Sequence, residues 1–209
     1  MIIVFDLDDT LYDEVDYVRS GFKEVANYLG DDTYFDFMWK LFKKDGSGKI
    51  FNKLIDRYNL KTPLLKLLEI YRFHTPNINL PHESLELLKF SSNYKTALIT
   101  DGHYIMQKNK YNALKLSKFI DFPIFTDFFH TSKPELKPYQ LVMDRYTNEQ
   151  YIYISDNPKK DFKATNKLGW NSIRFKNPNG IYRDFPNDAN YEVESRVEII
   201  DKLREICEN

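Results

Sequence analysis

Ile2-Ile3-Val4-Phe5-Asp6-Leu7-Asp8-Asp9-Thr10 is the stretch on which the fold turns. Its first four residues are an unbroken run of strand formers. A strand with one wet face alternates apolar and polar residues, whereas an unbroken run suits a strand covered on both faces, as in a parallel sheet flanked by helices. Acidic residues end the run at once. Side chains at the carboxyl ends of parallel strands point into the crevice where α/β proteins bind ligands. Asp6 and Asp8, two residues apart beyond such an end, can converge on one small volume, where they repel unless a cation or a proton separates them. By itself, the run also reads as an Asp-rich turn that caps a helix.

Outward from this stretch the pattern repeats. Residues 96–99, 151–154 and 172–175 are further short apolar runs, and 122–126 is a weaker one. Between them, residues 103–116, 137–146 and 158–168 have helical spacing. Strand–helix alternation predicts an α/β fold, a Rossmann-like parallel sheet with crossover helices. Residues 13–79 offer no clear strand but four helical patches, Glu14–Leu29, 34–43, Ile50–Tyr58 and 63–73. Breaks at Gly30-Asp31-Asp32, Gly46-Ser47-Gly48 and Lys61-Thr62 separate them, and Pro76 and Pro81 mark the exit. The expected organisation is a core of residues 1–12 and 80–209 interrupted by a helical insert, 13–79. Residues 191–206 are expected to close the chain as a helix.

Three further clusters stand where this plan puts strand ends. Ser155-Asp156-Asn157-Pro158-Lys159-Lys160-Asp161 follows the 151–154 run, so Asp156 and Asp161 add carboxylates from a second strand. Acids gathered from two strands suggest a site for a hard cation such as magnesium, which takes oxygen ligands and usually a substrate phosphate; helix capping is the bland alternative. Thr100-Asp101-Gly102, at another strand end before a helix, offers a hydroxyl and outward backbone N–H groups as a phosphate cradle. Lys133, in Ser132-Lys133-Pro134, can neutralise Asp6 and a bound phosphate together.

These pieces, in this order, resemble the haloacid dehalogenase-like superfamily. Asp6-Leu7-Asp8-Asp9-Thr10 is similar to its first motif, Thr100 to its second, Lys133-Pro134 to its third, and Asp156 with Asp161 to its fourth. Thr100-Asp101-Gly102, Gln107, Lys110, Leu114, Leu116 and Phe119 to Asp121 match a run common in the superfamily. Ser155 departs from it, standing where glycine is usual. Lys137-Pro138 is a second Lys-Pro pair, but Lys133 leaves the more usual distance to Asp156.

The resemblance implies a magnesium-dependent phosphatase acting on a small phosphorylated metabolite, a sugar phosphate or nucleotide. Asp6 would be the nucleophile and Asp8 the acid and base. Asp6, the Asp8 carbonyl and Asp156 would hold magnesium, and Asp161 would hold metal waters or orient Lys133. Thr100, Asp101 and Gly102 would grip phosphate. The insert falls where the superfamily carries a cap. Dehalogenases of the superfamily lack an aspartate at the Asp8 position, since halide leaves without a proton, so Asp8 favours phosphate chemistry. A phosphomutase shares these motifs, and a catalytically idle binding domain is the reading from another class.

The rest of the composition excludes other classes. Thirty basic and 31 acidic side chains give a net charge of −1, without the one-signed field of nucleic-acid binders. The single cysteine, Cys207, supports no internal disulfide framework, which suits a reducing compartment. The apolar start is too short for a signal peptide, and no stretch nears the roughly 20 apolar residues of a membrane span. The expectation is a cytoplasmic protein that meets neither membrane nor nucleic acid. Asp45–Lys49 imitates a calcium loop, but Lys43 and Leu54 occupy its required acidic ends. Tyr12, Tyr17, Arg19, Phe22 and Lys23, at the start of the insert, could face the cleft, but the aromatics are rather expected in the core and Arg19 and Lys23 on the solvated face. His103, after the phosphate cradle, could touch substrate but is rather expected at a helix start.

Overall fold

A computed structural model describes residues 1–208. The chain runs through β1 (Ile2–Phe5), α1 (Glu14–Leu29), α2 (Thr33–Asp45), α3 (Ile50–Tyr58), α4 (Leu64–Phe73), α5 (His82–Ser91) and β2 (Lys95–Thr100). It continues through α6 (Tyr104–Ala113), β3 (Phe122–Phe125), α7 (Lys137–Arg145), β4 (Tyr151–Ser155), α8 (Asp161–Leu168), β5 (Asn171–Phe175), β6 (Tyr191–Val193) and α9 (Arg196–Glu208). Two compact units form, one of Met1–Glu14 with Asn79–Asn209 and one of Val15–Ile78.

The first unit is an α/β layer built on one six-stranded parallel sheet in the order β3-β2-β1-β4-β5-β6. β1 is central, with Phe5 level with Leu98 of β2 on one side and Ile154 of β4 on the other. Every residue of β1 and β4 is buried, as their unbroken apolar runs require. Strand order reverses across β1 and β4: β2 and β3 extend the sheet one way, β5 and β6 the other. Ligand crevices of doubly wound sheets open at such a reversal, beyond the carboxyl ends of the strands. The Asp6 N–H donates to the Ile154 carbonyl at 2.9 Å, which carries the register one residue past the strand and fixes where the first acid stands. Beneath it, Val4, Ile99, Tyr139, Val142, Tyr153, Phe162 and Trp170 belong to one continuous core cluster.

The second unit is helical, α1 to α4. Val18, Phe22, Val25 and Ala26 recur on one face of α1 and pack with Met38, Ile50, Phe51, Leu54 and Leu67. The αL residues Lys49 and Asn59 bound α3.

The expected closing helix over 191–206 is corrected. Residues Tyr191–Val193 add a sixth strand beside β5, and the helix begins only at Arg196. Ser195 and Glu198 set that start: Ser195 Oγ accepts the Glu198 N–H at 3.2 Å, while Glu198 Oε2 accepts the Glu194 N–H at 3.0 Å. Ser195 Oγ also donates to Glu198 Oε1 at 3.0 Å, and its hold on the Glu198 N–H satisfies one of the donors that a helix start leaves open. The helix α5 was not anticipated; its buried residues are Ser84, Leu87, Leu88 and Ser91. α8 starts at Asp161 rather than at 158, because the Asn157 side chain takes the Lys159 N–H at 3.1 Å and holds a turn there. Among the described residues, no helix is long and apolar enough to cross a membrane.

Candidate active site

The acids come together at the carboxyl edge of the sheet. Asp6 beyond β1, Asp156 beyond β4 and Asp161 at the start of α8 each place a carboxylate oxygen within 4.8 Å of the others, and all three are buried. Lys133 Nζ lies 2.5 Å from Asp6 Oδ1, 2.8 Å from Asp161 Oδ1 and 3.2 Å from the Tyr153 hydroxyl. The other lysine candidate, Lys137, is exposed and donates to the Phe129 carbonyl at 2.6 Å. Thr10 joins the two loops: its hydroxyl accepts the Asp156 N–H at 3.1 Å and lies 3.3 Å from Asp6 Oδ2.

Serine at position 155 is accommodated with a bond of its own. Ser155 is fully buried and donates its hydroxyl to Asp161 Oδ2 in a short hydrogen bond. Asp161 is thereby held from two sides, by Ser155 and Lys133. Among the described residues Asp156 has no ammonium within ion-pair distance and only a 3.5 Å contact from Thr10 on Oδ1, so it is the least hydrogen-bonded of the three.

Charge makes the same distinction. Burial, and then the charges of Asp6, Asp9 and Asp161, push the Asp156 pKa up to about 9. Burial also raises Asp6, to about 6, against the pull of Lys133. For Lys133, burial favours the neutral amine, but Asp161 and Asp6 outweigh it and hold the pKa well above its ordinary value. Three carboxylates around one ammonium leave negative charge uncompensated. A donor set of clustered, buried oxygens with surplus negative charge fits a hard divalent cation such as magnesium.

Asp8 stands apart from this cluster. Lys110 Nζ touches both of its oxygens, at 2.8 and 2.9 Å; Gln107 Nε2 donates to Oδ2 at 2.8 Å and the Tyr12 hydroxyl to Oδ1 at 2.6 Å. Burial pushes this carboxyl up, but the charge and hydrogen bond of Lys110, with those of Tyr12 and Gln107, hold it below the usual carboxylate range.

The Thr100-Asp101-Gly102 turn divides in its roles. Thr100 Oγ1 takes the Gln107 amide at 2.5 Å. The Asp101 carboxylate is occupied by Lys160 at 2.7 Å, Thr126 at 2.8 Å and the Lys133 N–H at 3.1 Å, so only its backbone is left for a phosphate. Gly102 has φ +127°, which favours glycine, and a Cβ there would stand 3.2 Å from the Gln107 side chain, a tight approach. A cavity of about 170 Å³ opens on Asp6, Asp8, Thr100, Asp101, Lys133 and Asp156, with Ile181 and Tyr182 at its wall. His103 is exposed at the start of α6.

Sequence reasoning gave no role to Thr10, Gln107, Lys110, Tyr153 or Ser155. Tyr12 is buried, as expected, but its hydroxyl serves Asp8. A signal existed for the pair on α6. Gln107 and Lys110 are three apart on the face that also carries Tyr111, and all three are buried. Polar residues on the buried stripe of a helix must find partners inside.

The family model described as haloacid dehalogenase-like hydrolase matches residues 3–175, and the chain belongs to that family. It is 28% identical to a glyceraldehyde 3-phosphate phosphatase of Methanocaldococcus jannaschii, over 98% of this chain and 97% of that one. Among solved structures it is similar to the putative HAD-hydrolase YfnB of Bacillus subtilis bound to magnesium, with TM-score 0.69 at 15% identity, covering 98% of this chain and 97% of that one. A putative beta-phosphoglucomutase of Thermotoga maritima gives TM-score 0.69 at 19% identity, with 98% and 99% covered. At these identities the two structures bear on the fold alone.

Proposed function

We propose that this hydrolase is a magnesium-dependent phosphatase that cleaves a small phosphorylated metabolite through an aspartyl-phosphate on Asp6. The observation that carries the proposal is the Asp6–Lys133–Asp161 group beside Asp156, with a separately held Asp8 lining the same cavity. The full-length similarity to a glyceraldehyde 3-phosphate phosphatase supports the sugar-phosphate class for the substrate. We read the helical unit as the superfamily's cap from its place in the chain after the first motif.

Asp6 and Asp156, with the Asp8 carbonyl, would hold the cation, which supplies charge neutralisation at the phosphoryl oxygens. Asp161, tied to Lys133 and Ser155, orients the lysine instead of offering a free ligand oxygen. In the first step an Asp6 oxygen attacks phosphorus and the bond to the ester oxygen breaks. Asp8 gives its proton to that oxygen, so an alcohol departs. In the second step water attacks the same phosphorus, Asp8 takes the water proton, and phosphate leaves with Asp6 restored. Asp8 starts ionised in the resting protein; the negative phosphoryl group that arrives beside it raises its proton affinity, it takes up one proton from the monoanionic ester or from solvent, and the second step leaves it protonated for the next turnover. Lys133 stabilises charge on Asp6 and the phosphoryl oxygens throughout, and the Thr100 hydroxyl with the N–H groups of Asp101 and Gly102 grips those oxygens.

The test is a panel of sugar phosphates, glyceraldehyde 3-phosphate among them, and nucleotides, assayed with magnesium for released phosphate. Hydrolysis that vanishes in Asp6→Asn, with the circular dichroism spectrum unchanged, is expected. Isomer formation without release would make the protein a mutase. Silence across the panel together with no magnesium binding would leave an idle domain.

A further inference from the structure

We infer that Lys110 is the positioning residue of the acid–base step, acting through Asp8; the inference rests on the phosphatase reading above. An ionised carboxylate has about four lone-pair positions. In this protein two donors serve each Asp8 oxygen, Lys110 and Tyr12 on Oδ1, Lys110 and Gln107 on Oδ2. The carboxylate is therefore held in one orientation at the wall of the cavity. Exchanging a proton with substrate or water requires one of these positions to open. Tyr12 and Gln107 are neutral, each bonds a single oxygen of Asp8, and either can let go. Lys110 is charged, bridges both oxygens and is fully buried, with a side-chain exposure of 0% against 21% for Asp8. It is the donor that keeps the carboxylate in place while a neutral one yields.

The anchor is itself built in. Lys110 and Gln107 are three residues apart on α6, so their side chains leave the same face of the helix. Gln107 couples that face to the second motif through its 2.5 Å bond to Thr100 Oγ1. Gly102 leaves room for the amide, since any Cβ there would meet it at 3.2 Å. A lysine confined in this way also keeps Asp8 from swinging towards the acids two residues away. Asp8 retains its own cation, and Asp6 retains Lys133. Lys110 also stands 3.6 Å from Glu14 Oε1, a longer contact than the 2.8 and 2.9 Å to Asp8, so Asp8 is the catalytic group it holds at hydrogen-bond distance and the one through which we infer that it acts.

A leaving-group series discriminates this role from a merely structural one. An alkyl phosphate needs its oxygen protonated on departure, whereas p-nitrophenolate leaves unaided. Lys110→Met is expected to lower kcat about 10²-fold on alkyl phosphates, within the range such proton transfer contributes, and by less than about 10-fold on p-nitrophenyl phosphate, with KM little changed. In an Asp8→Asn background the same substitution is expected to have no further effect on alkyl phosphates, since the group it positions is gone. Lys110→Arg, which keeps charge and two-point contact, is expected to recover part of the loss. Should Lys110→Met fail to fold, Lys110→Gln, which keeps a polar donor at the buried position but removes the charge and the two-point contact, is expected to show the same selective loss. Equal losses across the leaving-group series, or a Lys110→Met effect that persists without Asp8, would overturn the inference and leave the phosphatase reading standing. A wild-type protein that hydrolyses none of the series would overturn both.

Discussion

Raising the pH in the absence of a divalent cation should destabilise this protein, and magnesium should abolish the effect. The cause is Asp156, whose pKa burial and neighbouring acids push up to about 9, against about 3.9 for an unfolded aspartate. An acid with a raised folded pKa binds more protons folded than unfolded. Its contribution is therefore greatest below the unfolded value and falls as pH rises towards the folded one. One proton costs about 1.4 kcal/mol per pH unit over that window. Between pH 6 and pH 8, both inside it, the loss is about 3 kcal/mol. For a chain of this length that is a fall in Tm of roughly 6–12 °C. Asp6 and Asp9, each raised to about 6, and Glu14, raised to about 7 chiefly by the charge of Asp8, act in the same direction at the lower end of the range. The assay is thermal unfolding at pH 6 and pH 8, each in EDTA and in saturating magnesium. The fall should appear only in EDTA, and the gain from magnesium should be larger at pH 8, where the site is ionised at least cost. Asp156→Asn should flatten the EDTA profile and be more stable than wild type at pH 8. Equal Tm values in EDTA at the two pH values, with no response to magnesium, would refute the picture of a crowded acid cluster waiting for a cation.

Two further outcomes test the local geometry. Ser155→Ala removes the buried hydroxyl that donates to Asp161 and should cost about 1–3 kcal/mol, read as a lower denaturation midpoint; an unchanged midpoint would show that the bond contributes nothing. Lys133→Met should abolish phosphatase turnover, whereas Lys137→Met, which alters only an exposed contact to the Phe129 carbonyl, should leave kcat within about twofold; the reverse order would move the catalytic lysine to position 137.

The sheet was legible in the sequence because burial on both faces leaves a trace that needs no partner to be seen. Ile2–Phe5 and residues 151–154 are apolar without alternation, and they form the two central strands that deliver Asp6 and Asp156. β6 left no such trace. Tyr191–Val193 is three residues long, with one residue exposed, and borders only β5, so its two flanking hydrophobics read as the head of the following helix. The Ser195–Glu198 cap that separates strand from helix is readable in the sequence, but only once a helix start is sought there. The Asp8 clamp was hidden for a different reason. Its donors come from residues 12, 107 and 110, and nothing local to α6 says that its buried polar face meets a carboxylate 102 positions earlier. Such a meeting is set by the parallel pairing of β1 with β2, a tertiary fact.

Charge balance ties the two halves of the site together. Asp6, Asp156 and Asp161, once ionised, carry three negative charges against one on Lys133. The surplus of two equals the charge of one magnesium ion. Asp8 has its own cation in Lys110, which also stands 3.6 Å from Glu14. Were Asp8 to share Lys133 instead, the cluster would hold four acids, and each would be driven further towards its protonated form. In the proposed mechanism a protonated Asp6 could not attack, so the lysine on α6 would protect chemistry on an aspartate it does not touch. Segregation also lets the two aspartates of one loop differ in ease of ionisation, with burial raising Asp6 and Lys110 holding Asp8 low. Paired acids with separated proton affinities are what a site needs when one must attack and the other must trade protons.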